Sequence, residues 1–368
     1  MFKGNGISKE QLTDTGEPCI LYGELYTKYK SEIISDIFSK TDIDTRKLVK
    51  SKANDVIIPC SGETAVDIAT ARCVPYDNIL LGGDLNIIRL YDCDGSFMSY
   101  QLNGKRKYDI AKVAQGVSVV HLYGDHLKGV KTYNPCLEEQ KKIVRLLSLL
   151  DERIATQNKI IEDLKKLKCA IIEKHYRQAK LHKYKICDLG VPFSVGSLSK
   201  EDLSEEGYEC ILYGELFTTY GCVINEVKSH TNKIANTTLS QKGDLLFPSS
   251  TTVDAVSLIS PSVIDIPNVI LGGDMFGIHI DKKFNAYYLS YYINLIARKK
   301  LAIYAKGSTI IHLHYKDIAK AQLLLPDLCE QDKNAKCMMA EDAKIKVEEQ
   351  LLTILEKQKQ YLLRQMFI

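Results

Sequence analysis

Cys19-Ile20-Leu21-Tyr22-Gly23-Glu24-Leu25 returns letter for letter as Cys210-Ile211-Leu212-Tyr213-Gly214-Glu215-Leu216, 191 residues further along the chain. A seven-residue identity inside a 368-residue chain is not a chance event, so its extent decides the fold. Downstream, Asn78-Ile79-Leu80-Leu81-Gly82-Gly83-Asp84 returns as Asn268-Val269-Ile270-Leu271-Gly272-Gly273-Asp274, at an offset of 190. Gly116 and His121-Leu122 return as Gly307 and His312-Leu313. Pro135, Leu137 and Glu139-Gln140 return as Pro326, Leu328 and Glu330-Gln331, and Asp151, Ile154 and Leu164 as Asp342, Ile345 and Leu355. The matches keep their order over the whole length, which is a tandem duplication. Its period is far above the ~20–50 residues of a solenoid. Two periods of 191 would take 382 residues, 14 more than the chain has. Met1 aligns with Pro192, so the first copy is expected to lack a counterpart of residues 182–191 and to be N-terminally shortened.

Within each copy the texture changes once. Residues 1–135 carry Gly, Tyr and short β-branched runs (Val56-Ile57-Ile58, Ile87-Ile88, Val117–Val120), which predict short strands joined by turns. Tyr287–Ala297 predicts a buried helix, with a strand as the alternative. From Pro135 onward a stretch without Pro or Gly carries apolar residues at three- and four-residue spacing, the mark of an amphipathic helix. Residues 151–176 alone would make a helix of ~39 Å at ~1.5 Å per residue. Such a helix needs a partner, and the duplicate near the C-terminus is the natural one. The expected interface is Ile154, Ile161, Leu164 and Ile171 against Ile345, Leu352, Leu355 and Leu362. The competing arrangement has each helix covering only its own domain.

Composition excludes several classes. No apolar run reaches the ~18–20 residues of a membrane span, and the start lacks the charged and apolar regions of a secretory signal. The eleven cysteines contain no Cys-x-x-Cys pair, so a disulfide framework or zinc ribbon is disfavoured and a reducing cytoplasm is expected. Phosphate-loop, dinucleotide-binding, nucleophile-elbow and His-Glu-x-x-His motifs are all missing. His312 and His314 with His279 are the one conceivable metal set, but His314 has no counterpart in the first copy, and no metal is expected. Asp84 and Asp274 predict tight turns. Glu24 and Glu215 predict a structural strand–turn element, with the positioning of a DNA-contacting loop as the alternative.

The residues now quoted resemble the specificity (S) subunits of type I restriction-modification systems. The resemblance rests on three elements. One is the Ile7–Leu12 segment leading to Pro18–Leu25, echoed by Leu198–Leu203 leading to Glu209–Leu216. Another is Gly307-Ser308-Thr309, with Gly116-Val117-Ser118 as its looser first-copy form. The most specific is Pro135-Cys136-Leu137-Glu138-Glu139-Gln140 running on through Ile143 to Leu149-Leu150-Asp151-Glu152-Arg153-Ile154. The second copy departs at Glu330–Cys337, which lacks the apolar run of residues 143–147, so the start of its helix is expected to be shortened or frayed.

The resemblance implies an α+β protein: a tandem duplication of an α/β target-recognition domain plus a long helix, the two helices pairing as an antiparallel coiled coil with pseudo-two-fold symmetry. The segments would be residues 1–135 and 181–327 for the recognition domains and 136–180 and 328–368 for the spacer helices. It also implies a non-catalytic reader of a bipartite double-stranded DNA site. Two methyltransferase subunits would dock on the helices and hold the S-adenosylmethionine, with motor-nuclease subunits as optional further members. This chain would bind no cofactor. A helix of ~39 Å would space the half-sites by about 11 base pairs at ~3.4 Å each, and the internal likeness suggests similar, inverted halves.

Net charge is only +3 and no segment is strongly basic: 17 Lys and Arg against 17 Asp and Glu in residues 1–135, 14 against 15 in 181–327. Phosphate contact must therefore be local and helped by partners. Candidate phosphate contacts are Lys105, Arg106 and Lys107, and Arg298, Lys299 and Lys300 with Lys306. Candidate base readers are Ser61 and Thr64, Gln115 and Ser118, Ser249, Ser250, Thr251 and Thr252, and Ser308 and Thr309, since such side chains reach base edges. Two other classes stay open. One is a duplicated cytosolic enzyme or small-ligand-binding protein with sites at the Gly-Gly-Asp turns. The other is a DNA-binding antirestriction or regulatory protein of the same fold.

Overall fold

In the computed structural model, which describes residues 1–367, the run Val56-Ile57-Ile58 lies inside a fully buried strand, Asp55–Pro59. That strand lies between Leu85–Ile88 and Arg72–Val74, both antiparallel to it, with Phe2–Lys3 at the edge. Its copy Asp244–Pro248 is flanked in the same way by Met275–Ile280 and Ser262–Ile264, with Gly190–Ser194 beyond. A second, five-stranded sheet is built around Glu17–Ile20 in one copy and Tyr208–Leu212 in the other. The strand pair His182–Lys185 with Gln322–Leu325 has no counterpart among the described residues of the first copy.

One expectation needs correction here. Val117–Val119 forms an exposed loop, not a strand, because Gly116 turns the chain at φ 124°; only Val120–His121 pairs. The Tyr287–Ala297 stretch is helical, as Ala286–Tyr292 followed by a π turn over Ile293–Ala297.

The long helices are α1, Leu137–Gln178, and α2, Leu328–Gln365. The chain separates into two compact units, Met1–Ile160 with Glu348–Ile368, and Ile161–Val347. Each unit therefore holds one recognition domain, part of α1 and part of α2. In the first unit Asp151 meets Lys359 and Gln157 meets Glu348; in the second Lys168 meets Asp342 and His175 meets Asn334. Numbers rise on one helix as they fall on the other, so the helices pair antiparallel within each unit. Ile161, Leu164, Ile345 and Leu355 are buried, while Ile154, Ile171, Leu352 and Leu362 are half-buried. The helices also cover their domains: Leu147, Leu363 and Phe367 join the core with Val56, Ile58 and Phe97, and Ile172 and Met338 enclose Tyr291.

The start of α2 is neither shortened nor frayed. Where the first copy has Ile143 the second buries Asn334 with a partner, and Gln331 repeats the buried Gln140. Gln331 and Asn334 are 1% and 2% exposed; the Gln331 amide donates to Pro326 O and Asn334 meets the His175 ring. Ala335 and Met338 complete the buried face. A pattern search for apolar spacing misses a face whose polar members are hydrogen-bonded.

The copies differ beneath their helices. In the first, Glu32 and Arg72 are buried, Glu32 pairs with Lys359 at 2.5 Å, and the Arg72 Nε has no partner. The equivalent positions in the second are Cys222 and Ser262: Val263 N–H donates to Cys222 O as Cys73 N–H does to Glu32 O, and Ser290 Oγ donates to Cys222 O and Pro261 O as Ser99 Oγ does to Glu32 O and Ala71 O. Glu32→Cys alone takes from Arg72 the stronger of its two carboxylate influences, Glu32 ahead of Asp151, and removing one partner of a buried charge set costs ~3–5 kcal/mol. Adding Arg72→Ser recreates the residue pair of the second copy, where Ser262 Oγ donates to Gly221 O at 2.7 Å. Thermal melting followed by circular dichroism should show a large drop for the single variant and recovery of most of it in the double.

Candidate nucleic-acid interface

Each recognition domain carries a glycine-tipped ribbon built the same way. The central strand ends at Pro59 or Pro248, whose missing N–H stops the ladder. The chain then leaves the sheet as Ser61–Gly62 or Ser250–Thr251, and pairs antiparallel with Val120–His121 or Ile311–His312. Backbone bonds fix the departure: Cys60 N–H donates to Asp84 O at 2.7 Å and Ser249 N–H to Asp274 O at 2.8 Å. The second strand is one arm of a tight loop. Gln115 and His121 exchange two backbone bonds across it, as do Lys306 and His312. Gly116 and Gly307 open the two loops at φ 124° and 120°, and a Cβ on either would lie 2.1 Å from the Val119 or Ile310 carbonyl oxygen.

The two sets of base readers inferred from sequence are thus brought together, but not all of them face outward. Gln115 and Ser118, and Lys306, Ser308 and Thr309, are exposed on the loops. Thr252 is exposed beside the second ribbon. Ser61, Ser249 and Ser250 are buried, Ser61 donating to Asp84 at 3.3 Å. Thr64 caps the helix Ala65–Ile68 by accepting from Asp67 N–H, and Thr251 accepts from Val253 N–H. These five side chains shape the ribbons rather than project from them.

The basic clusters divide similarly. Lys105, Lys299 and Lys300 are exposed. Arg106 is mostly buried near Asp109, and burial beside Arg72 lowers the Lys107 pKa. Arg298 donates to Val256 O and Ser257 O, holding the end of Ala255–Leu258, the short helix after the second ribbon. Lys306 reaches Asp317 at 2.6 Å, which lowers the Asp317 pKa.

The repeated acids are explained by geometry. Glu24 accepts from Leu21 N–H at 2.9 Å and from Ser39 Oγ; Glu215 accepts from Leu212 N–H at 2.8 Å and from Ser229 Oγ at 2.7 Å. Both tie a strand end to the turn after it, the structural role their motif suggests. Residues that sequence reasoning passed over also reach the ribbons. Tyr123 stands beside His121 with Lys3 Nζ 5.8 Å from its ring, and Lys316 with His314 lines the second ribbon's cleft. Alignment of Tyr123 with His314 across the repeat was the available signal. Among the described residues no three His, Cys, Asp or Glu side chains converge as a metal site, all eleven cysteines are free, and no helix is long and apolar enough to cross a membrane.

An α+β chain that uses one domain-plus-helix unit twice, with an exposed ribbon on each domain, defines a duplicated recognition protein. The chain belongs to the type I restriction modification DNA specificity domain family, which it matches over residues 2–166 and again over 180–357. It is 28% identical over 155 residues to the type I restriction enzyme MjaVIII specificity subunit of Methanocaldococcus jannaschii, covering 42% of this chain. The match spans about a third (34%) of that relative's length. Its fold is that of a crystallised type I restriction-modification S subunit from M. genitalium: TM-score 0.61 at 17% identity, covering 100% of this chain and 93% of that one. It is likewise similar to a chain from a study of complex assembly and conformational transition of the type I R-M system, with TM-score 0.60, 14% identity, and 95% and 90% covered.

Gly307→Ala places a methyl group against backbone in a conformation that side chains rarely adopt, at a cost of about 1–3 kcal/mol. Because the loop is exposed, the variant should keep most of its cooperative melting while any DNA binding by the second ribbon weakens. Electrophoretic mobility shift alongside a melt separates the two effects.

Proposed function

We propose that this chain is the DNA sequence-recognition subunit of a type I restriction-modification complex, each domain reading one half of a bipartite double-stranded site. The observation that carries the reading is the glycine-tipped ribbon, present once per repeat in a chain of the DNA-specificity family. Its tips offer Gln, Ser, Thr and Lys, the side chains that meet base edges and phosphates. Neither the family nor the geometry favours an enzyme at the Gly-Gly-Asp turns.

The chemistry would lie in docked methyltransferase subunits, two of them in the full assembly, that bind S-adenosylmethionine and methylate adenine; motor-nuclease subunits would complete a restriction complex. The helices supply a surface for such docking. In the first unit Leu146, Leu149 and Ile160 on α1 and Ile354 and Tyr361 on α2 are exposed although they sit on otherwise paired helices. Apolar side chains left outside a helix pair suit a partner surface.

The near-neutral charge gives this reading a quantitative edge. A protein that neutralises few phosphates gains little from counterion release. The chain alone should therefore bind its DNA weakly and with a shallow salt dependence, and the complex with its methyltransferase should bind tightly and with a steeper one. Co-purification with an adenine methyltransferase, followed by methylation mapping, should yield a motif of two defined halves and a fixed gap. Methylation without a bipartite motif would overturn the reading. Inserting one helical turn in residues 155–170 should lengthen the gap if the helices set it.

A further inference from the structure

The Gly-Gly-Asp turns are identical in sequence and different in backbone. In the first copy Asp84 itself adopts the left-handed conformation, φ 55°, and its carboxylate accepts from Ser61 Oγ at 3.3 Å. In the second copy the left-handed residue is Gly273, φ 84°, one position earlier. That shift suits the glycine and relieves the aspartate of the strained conformation. The Asp274 carboxylate has no hydrogen-bond or ion-pair partner among the described residues, while its backbone oxygen still holds Ser249. It borders two open clefts, of about 550 Å³ beside Lys306 and His312 and about 510 Å³ beside Ser197 and Lys233. The other carboxylates lining them are engaged: Asp317 with Lys306 at 2.6 Å and Asp202 with Lys233 at 3.0 Å.

We propose that Asp274 is a specificity-determining residue of the second recognition domain, accepting a hydrogen bond from the exocyclic amino group of a cytosine. The inference rests on the DNA-reading function proposed above and assigns a base to one side chain of that site. A free carboxylate beside a DNA-facing ribbon is repelled by phosphates and must be offset by a donor. In the major groove only cytosine N4 and adenine N6 are donors; guanine presents two acceptors and thymine one acceptor and a methyl. Adenine places its N7 acceptor beside the amino group, where a carboxylate is repelled and a carboxamide is bidentate. An ionised carboxylate therefore selects cytosine. The first domain, whose Asp84 is held by Ser61, lacks this reader. The two half-sites consequently differ in chemistry despite the shared framework, in place of the similar halves that the internal likeness suggests.

The test uses the full chain assembled with its co-purifying methyltransferase and a duplex library randomised in one half-site at a time. Wild type should require cytosine at one position of the second half-site. Asp274→Asn, nearly isosteric, should shift that position toward adenine, and Asp274→Ala should relax it by about 10-fold, the equivalent of one good base contact. The first half-site should stay unchanged in both variants, and a melt confirms that each folds. A second half-site unchanged in both variants overturns the assignment while leaving the recognition function standing. Wild type that selects no sequence in either half overturns the function itself, and this assignment with it.

Discussion

Everything else in the molecule depends on one ionic contact made twice, buried at Asp151–Lys359 and partly buried at Asp342–Lys168. Asp151 on α1 accepts from the Tyr100 hydroxyl of its own domain at 2.7 Å and from Lys359 of α2 at 2.5 Å. Asp342 on α2 accepts from Tyr291 at 2.6 Å and from Lys168 of α1 at 2.5 Å. Each aspartate thus joins a recognition domain to both helices of its unit at a single carboxylate. The cost of burying such groups forces the geometry: a carboxylate and an ammonium away from water are tolerated only with partners in place. Burial opposes the charge on Lys359, but Glu32 and Asp151 outweigh it and raise its pKa. Burial, then Asp151, raise the Tyr100 pKa, so that the phenol stays a donor. Register between the helices is therefore specified by charge as well as by apolar fit, which suits a pair whose apolar stripe includes half-exposed positions.

The sequence made the skeleton of this arrangement legible because its key residues recur at a constant offset. Asp151 and Asp342 stand in the repeated set, as do Gln140 and Gln331. Those glutamines prove to be clamps: each donates to the preceding proline's carbonyl and accepts from the backbone N–H of a helix N-cap, Asp94 or Asn285. What could not be read was the lysine partner. Lys168 and Lys359 also lie 191 apart, but lysines abound on both helices, and only antiparallel pairing singles these two out. The start of α2 was obscured for a related reason. Gln331 and Asn334 look like solvent-facing residues in a pattern search and are among the most buried in the helix.

The ribbons show the opposite imbalance. Their location was legible from the Ser and Thr candidates of each copy and from Gly116 and Gly307, because a glycine permits the left-handed turn. Which hydroxyls project was not. Ser61, Thr64, Ser249, Ser250 and Thr251 have the composition of base readers and are used up by local hydrogen bonds and burial. Ser and Thr serve turns and recognition with the same atoms, so residue type alone cannot separate the two uses. The outward positions, Gln115, Ser118, Lys306, Ser308 and Thr309, differ between the copies at nearly every aligned place.

That difference follows from how the framework is divided. Positions that hold the fold are conserved between repeats in their physical role even where the residue changes. Asp55 with Arg89, beneath the Phe2 ring, becomes Asp244 with His279, beneath the Phe193 ring. In each the buried strand carboxylate keeps a partner from the neighbouring strand or the residue just after it, and that partner lies against an aromatic ring. Glu32 and Arg72 become Cys222 and Ser262 together, so that neither charge is kept without the other. Exchange inside the framework is thus constrained to compensated pairs, whereas each loop is closed by two backbone bonds and, of the outward positions among the described residues, Lys306 is the one tied to its domain by an ion pair, to Asp317. Exposed side chains there, Lys306 apart, can change one at a time at little cost to folding. A duplicated scaffold of this kind can hold its two domains to one architecture while each acquires its own surface, and the different backbone at Asp84 and Asp274 shows that separation reaching into an identical stretch of sequence.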